Sequence, residues 1–323
     1  MAGLVGLLRF RLLLAASWLA CRLPEGALVR FAEVVGDLWY RLTPERAAQA
    51  RRNLRRVAQD MAARGRGTPA VRAAATDQRA LERLVRLSYR HAASYYLEVA
   101  RAPALRPSDI DEKVEVETPD AAAAAFESAH PSIYIGLHFG GIELPGMLLA
   151  TRAGAAVSPM EELDDPRLQA WFVRTRGVVG LRLVGLREAR RELQAALREG
   201  TSVGIVGDRD LTGGGMATVL FGAPAMLPLG PAMLAVESGA SVYVVGARRT
   251  GVGRYVGRLE PVAVPADGSR RERVTATMAA IAHGFERIIE DAPEQWWAVF
   301  FPIWPDLERE AATRPAVAEP GTP

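Results

Sequence analysis

Ser132-Ile-Tyr-Ile-Gly-Leu-His-Phe-Gly-Gly-Ile-Glu143 decides how this 323-residue chain is built. Residues 132–137 are short, β-branched and aromatic, and they are bounded by Pro131 on one side and Gly140-Gly141 on the other. That is the pattern of a buried strand. Strands of an open α/β sheet present their carboxyl ends to the ligand crevice, so this strand delivers His138 to that edge, with Glu143 five residues further on.

Outward from this strand the pattern alternates. Short β-branched runs at Val114–Val116, Ile133–Leu137, Ala155–Val157, Leu181–Val184, Val203–Val206 and Val242–Val245 are separated by segments of helical periodicity. Alternation of this kind predicts an α/β fold, an open mixed or parallel sheet flanked by helices. Before it, helical signals run to about residue 101. Pro24 opens a helix ending near Leu42, and Thr43-Pro44-Glu45 supplies an N-cap, a proline at N1 and an early acid for the next, which Gly65 and Gly67 stop. Residues 65–77 read as an exposed linker. Asp77 caps a further helix whose Leu81, Leu84, Val85 and Tyr89 share one face. Tyr95-Tyr96 on this helix read as core packing. The stretch from about Glu308 to Pro323 is rich in Ala, Pro, Glu and Thr and reads as disordered.

Composition narrows the class. With 49% apolar and 24% charged residues the chain buries a substantial core. Its single cysteine, Cys21, excludes a disulfide framework and a cysteine-built zinc site. His91, His130 and His283 are scattered and read as structural or surface residues. Charge is uneven. Residues 1–66 hold twelve arginines against five acids, which leaves +7 there and −4 over the remainder of a chain whose total is +3. Those arginines alternate with Leu, Val and Trp, which favours an anionic membrane surface over nucleic acid. Arg9, Arg11 and Arg22 interrupt the apolar run and leave at most ten clear residues, too few to span a bilayer. The expectation is a monotopic helix lying in the interface, against the alternative of an amphipathic helix packed on the body of the same protein.

Three constellations carry chemistry. An imidazole takes a proton from a hydroxyl nucleophile, and a carboxylate fixes its tautomer and steadies the imidazolium; His138 and Glu143 are the two residue types required. Gly140 and Gly141 between them permit a tight turn with amide N–H groups free for an oxyanion. The same spacing also suits a histidine satisfied by a neighbour. Glu161 follows one strand and Arg176 closes the next helix, so both can lie on the rim near His138, where an arginine can hold a phosphate. Asp208 follows the strand Val203–Val206 and projects from the same edge. It reads as a second carboxylate for the imidazole, or else Asp208-x-Asp210 is a metal pair of a nucleotide-sugar enzyme. Gly213-Gly214-Gly215 matches neither a dinucleotide fingerprint nor a P-loop. The proline-bent run Val219–Pro231 lines a tunnel for a fatty chain or is ordinary core.

Taken together these residues resemble the bacterial lipid A late acyltransferase family and the phosphatidylinositol mannoside acyltransferases close to it. The likeness rests on Arg51-Arg52-Asn53-Leu54, the His-x4-Glu motif at 138–143, Glu161 with Arg176, Asp208-Arg209-Asp210-Leu211, Phe221-Gly222 and Ala292-Pro-Glu-Gln-Trp296. It implies a glycerolipid acyltransferase-like α/β fold in three parts. These are an N-terminal helical, membrane-contacting region over 1–101, the acyltransferase domain over 102–307 and a disordered tail over 308–323. It implies an acyl-CoA or acyl-carrier-protein donor, a glycolipid acceptor, an anionic membrane surface at the cytoplasmic face of the inner membrane, and no metal or other cofactor. His138 is then the base, Glu143 and Asp208 are its acidic neighbours, and Glu161, Arg176 and Arg209 contact substrate or brace the site. The chain departs from the family at Met216-Ala217-Thr218 and at Trp296-Trp297 through Trp304. A lipid A precursor, a mannosylated inositol lipid and another glycolipid therefore all stay open as acceptors. Two rival readings are a metal-dependent glycosyltransferase using Asp208-x-Asp210 and a non-catalytic membrane adaptor using the basic amino terminus.

Overall fold

A computed structural model describes residues 2–153, 156–177, 180–211 and 213–313. The chain opens with helices α1 (Ala2–Ala20), α2 (Glu25–Leu42), α3 (Pro44–Ala63), the short α4 (Pro69–Ala73) and α5 (Gln78–Arg101). Then follow α6 (Pro107–Lys113), β1 (Val114–Val116), α7 (Pro119–Phe126), β2 (Ser132–Gly140), α8 (Glu143–Arg152), β3 (Ala156–Met160) and α9 (Pro166–Gly177). Next are β4 (Leu181–Gly185), α10 (Ala189–Arg198), β5 (Ser202–Val206), a hairpin of β6 (Met216–Leu220) and β7 (Ala223–Leu227), and α11 (Gly230–Ser238). The long strands β8 (Ser241–Gly251) and β9 (Arg254–Pro261), then α12 (Arg270–Ile289), two 3₁₀ turns over 293–300 and α13 (Pro305–Thr313) complete the order.

Seven strands form one sheet in the order β1-β9-β8-β2-β5-β3-β4. Every neighbouring pair is parallel except β8–β9. Parallel strands buried on both faces need continuous apolar runs, and β2 has one: Ile133, Tyr134, Ile135 and Leu137 are all buried. The mixed sheet flanked by helices is the architecture the alternating pattern implies.

The amino-terminal helices share that core. Leu54 and Val57 of α3 and Leu81, Val85 and Tyr89 of α5 lie in one apolar cluster with Ile133 and Ile135 of β2, Phe285 of α12, and Trp296 and Trp304. Asn53, fully buried, donates to the carbonyls of Val299 and Phe301 at 2.8 and 2.9 Å. Arg51 pairs with Glu82 and Arg56 with Asp306. Asn53 and Arg56 thus fasten the carboxyl-terminal segment to α3, while Arg51 ties α3 to α5.

Several expectations are corrected. The linker over 65–77 is not fully exposed, because α4 forms inside it and buries Val71 and Ala74. Thr43 does not cap α3 with its side chain; its hydroxyl reaches back to the Trp39 carbonyl and to the Tyr89 hydroxyl. The run Val219–Pro231 is no tunnel: it forms the β6–β7 hairpin and the start of α11, with Leu220, Phe221, Ala225 and Leu227 in the core. Residues 308–313 of the expected disordered tail lie in α13, where Glu308 accepts a hydrogen bond from Gln49, and the rest lies outside the described residues. Asp77 caps α5 as its position suggests, accepting from the Arg79 N–H at 2.8 Å.

Helices α1 and α2 leave large apolar side chains in the open, among them Leu8, Leu12, Trp18, Phe31, Val34, Leu38 and Leu42. No helix among the described residues is long and apolar enough to cross a membrane.

Candidate active site

The β2–β5 register puts the site together. Gly136 lies opposite Val206, so two residues further along each chain His138 comes level with Asp208. Between Gly136 and Gly140 the register of β2 against β8 shifts, a bulge that ends at Gly140, whose φ is +55°. A Cβ there would lie 1.8 Å from the Ala247 carbonyl oxygen, so only glycine fits.

Asp208 is fully buried and grips His138 twice. One carboxylate oxygen lies 2.6 Å from His138 Nδ1, and the other accepts the His138 backbone N–H at 3.0 Å. The Trp296 indole Nε1–H donates to that second oxygen at 2.8 Å. Burial alone would raise the Asp208 carboxyl; the imidazole charge, the imidazole hydrogen bond and Trp296 outweigh it and hold the group below the ordinary carboxylate value. With a carboxylate on Nδ1, the proton of a neutral ring sits on Nδ1 and the lone pair on Nε2. Nε2 has no partner among the described residues, and the side chain is 17% exposed. Trp297 meets the imidazole edge to face at 4.3 Å between centroids, with Tyr95 stacked behind it at 5.2 Å.

Glu143 is elsewhere engaged. It opens α8 and takes a two-pronged ion pair from Arg176 at the end of α9, at 2.5 and 3.1 Å. Burial works to lower the Arg176 pKa, and the Glu143 carboxylate overrides it and raises it. The pair is also flanked by Tyr95, whose hydroxyl is pushed up by burial first and by Glu143 next. The sequence placed Glu143 beside the imidazole; the carboxylate bonded to the ring is Asp208, and Glu143 clamps Arg176.

Arg209 is half-buried, with its guanidinium carbon 3.6 Å from the centre of the Phe301 ring. Burial lowers its pKa against the pull of Asp208 and Glu161. Glu161 is exposed just past β3, and its charge acts on Arg209. Asp210's carboxylate accepts the N–H groups of Gly213 and Gly215 and folds its own loop. The two halves of the Asp208-x-Asp210 pair therefore serve different partners.

Sequence reasoning missed the indole that orients Asp208, and it missed a cavity. The cavity holds about 360 Å³ between α2, α5 and the β8–β9 turn, with Leu28, Ala32, Leu97 and Val252 on its walls and Glu143 reaching one side. On the same wall Arg249 bridges Glu98 and the Gly140 carbonyl, so an ion pair of α5 and β8 steadies the turn after His138. The side chain of Tyr255 donates to the same Glu98. No short motif signals such a cavity, because its walls come from segments more than 200 residues apart.

The family model for bacterial lipid A biosynthesis acyltransferase matches residues 7–302, and the chain belongs to that family. Among its relatives is a phosphatidylinositol mannoside acyltransferase of Mycolicibacterium smegmatis, 28% identical over 236 residues, which is 72% of this chain and 76% of the relative. A protein of the same description from Mycobacterium tuberculosis is 31% identical over 237 residues, 71% of this chain and 69% of its own.

Proposed function

We propose that the protein moves a fatty acyl group from a thioester, acyl-CoA or acyl-carrier protein, to a hydroxyl of a membrane glycolipid of the lipid A precursor or phosphatidylinositol mannoside type. The observation that carries this reading is the His138–Asp208 pair at the carboxyl edge of the sheet, with Nε2 unengaged. His138 Nε2 removes the proton of the acceptor hydroxyl as its oxygen attacks the thioester carbonyl. The tetrahedral intermediate then collapses, the C–S bond breaks, and the leaving thiolate takes the proton back from the imidazolium. Asp208 keeps the ring in the Nδ1–H tautomer and stabilises its charged form while the intermediate lasts. No covalent enzyme intermediate is required.

Glu143 and Arg176 act as one unit, fixing the start of α8 beside the base. The acyl chain lies in the cavity that Glu143 borders, where each buried CH₂ contributes about 0.8 kcal/mol. Glu161 and Arg209, on the rim, contact the polar part of a substrate. The open apolar faces of α1 and α2 and their arginines suit a peripheral position at the cytoplasmic face of the inner membrane. The glycosyltransferase alternative has no support in an Asp208-x-Asp210 pair whose carboxylates are separately engaged.

His138→Ala tests the reading. Purified variant and wild type are compared by circular dichroism and by transfer of radiolabelled palmitate from its CoA or carrier-protein thioester to extracted glycolipid. Transfer falls by about 10³-fold or more with the spectrum unchanged. Wild-type rates in the variant would overturn the proposal.

A further inference from the structure

Arginines crowd this side of the molecule, and nearly every one near the site is neutralised by a carboxylate. Arg176 is held by Glu143, Arg249 by Glu98, Arg51 by Glu82 and Arg56 by Asp306. Two are not. Arg46 on α3 and Arg209 after β5 make no ion pair or hydrogen bond among the described residues, and both stand against one ring, Phe301. Their guanidinium carbons lie 5.8 and 3.6 Å from its centre, and Arg46 also lies 5.7 Å from the ring of Trp39. Aromatic faces fix where such cations sit without consuming their N–H donors.

The same aromatic cluster holds a second unfilled demand. Trp297, in ring contact with both Phe301 and His138, has a buried indole Nε1–H with no acceptor. The other indoles of this segment are satisfied, Trp296 by Asp208 and Trp304 by the Leu220 carbonyl. A buried donor left unpaired is costly, and an incoming acceptor recovers that cost.

We propose that Arg46 and Arg209, set on Phe301 beside the base, form a subsite for a phosphate ester of a substrate, with the Trp297 N–H as its neutral third donor. Two guanidinium groups and one N–H are the kind of donors a tetrahedral oxyanion takes, since its oxygens accept several charge-assisted hydrogen bonds at once. The inference rests on the acyl-transfer reading for its substrates. A phosphate ester is carried by the donor, in CoA or in the phosphopantetheine arm of a carrier protein, and by an acceptor built on a phospholipid; the chemistry of recognition is common to both.

The test separates those sources. KM and kcat are measured for wild type, Arg46→Gln, Arg209→Gln and Arg46→Lys, varying palmitoyl-CoA in one arm and phosphatidylinositol mannoside in phosphatidylcholine vesicles in the other. Each glutamine variant raises KM about tenfold in one arm, with kcat changed less than about threefold, and Arg46→Lys recovers part of the loss. The arm that moves names the substrate whose phosphate is bound. Unchanged KM in both arms, or a fall in kcat alone, overturns the subsite. Should a glutamine variant fail to fold, the deciding measurement is pyrophosphate titrated calorimetrically into wild type and Arg46→Lys. Saturable binding, weakened by raising salt from about 0.05 to about 0.3 M, supports the subsite, and no binding overturns it. Failure of the acyl-transfer reading is a different result, since a wild type inert toward every thioester still reports pyrophosphate binding.

Discussion

One carboxylate sets the chemistry of His138. Asp208 receives three hydrogen bonds, from the ring Nδ1, the histidine N–H and the Trp296 indole. An asparagine in its place keeps the shape but removes the charge that stabilises imidazolium, and its amide is free to present N–H where the ring needs an acceptor. Asp208→Asn is therefore expected to lower kcat by about 10²–10⁴-fold at little change in KM, measured by steady-state transfer. A loss below about threefold would mean that the ring does not depend on Asp208. A second residue, His91, reports on the cavity. Burial, with the charge of Arg249, pushes its pKa from 6.5 down to about 3. The unfolded ring takes up a proton near 6.5 while the folded ring stays neutral, so the unfolded state binds more protons throughout that interval. Stability consequently falls as pH drops from about 6.5 toward about 3, by up to about 1.4 kcal/mol per unit from this group. His91→Leu removes that contribution, and urea midpoints at pH 7, 6 and 5 should fall less steeply than in wild type; parallel acid limbs would refute it.

Elements explain what the sequence discloses and what it withholds. The strand Ile133–Leu137 is legible because burial on both faces demands an unbroken apolar run, and the Asp77 cap and the Leu81–Tyr89 face of α5 are legible because a helix repeats about every 3.6 residues. Register is different. Which residue of β5 falls opposite Gly136 is set by packing between distant segments, so the sequence offers Glu143 first and Asp208 as a second carboxylate for His138, and the register brings Asp208 to the ring. The β6–β7 hairpin is illegible for a related reason: Phe221-Gly222 makes its turn with Phe221 at φ +48°, a conformation sustained by the buried Glu286 carboxylate on the Phe221 N–H, 65 residues away. At this scale the brace from Asn53 is testable. Asn53→Ala orphans the Val299 and Phe301 carbonyls beneath the aromatic cluster and should cost about 2–3 kcal/mol in urea unfolding. Unchanged stability would show that water replaces the amide.

For the whole molecule the question is what meets the apolar side of α2. Phe31, Val34, Val35, Leu38 and Leu42 recur at helical spacing and are exposed, Val34 by 66% and Leu42 by 69%, while Leu28, Ala32 and Gly36 turn inward. The inward contact is close: a Cβ on Gly36 would come within 2.6 Å of the α5 backbone at Arg90, so the helix cannot roll to hide its outer stripe. Helix α1 adds Leu8, Leu12 and Trp18, and Arg9, Arg11, Arg30 and Arg41 make no ion pair among the described residues. An apolar stripe bordered by unneutralised arginines would complement an anionic lipid surface, with leucines and aromatics at the acyl boundary and guanidiniums at the head groups. Such a position would keep a lipid acceptor near the sheet edge without a spanning helix. Replacing Phe31 and Val34 together by glutamate removes two buried-on-binding side chains, each worth about 1.5 kcal/mol or more, and sets charge against charge. Partition into phosphatidylglycerol-containing vesicles should fall by at least about 10²-fold in a sedimentation assay. Because both positions are exposed in the folded protein, the thermal midpoint should move by less than about 2 °C. Raising salt to about 1 M should weaken wild-type binding only in part, since screening reaches the arginine contribution and not the apolar one. Equal partition of variant and wild type would remove α2 from the membrane contact, and loss of binding together with a large fall in the thermal midpoint would assign the stripe to packing within the protein.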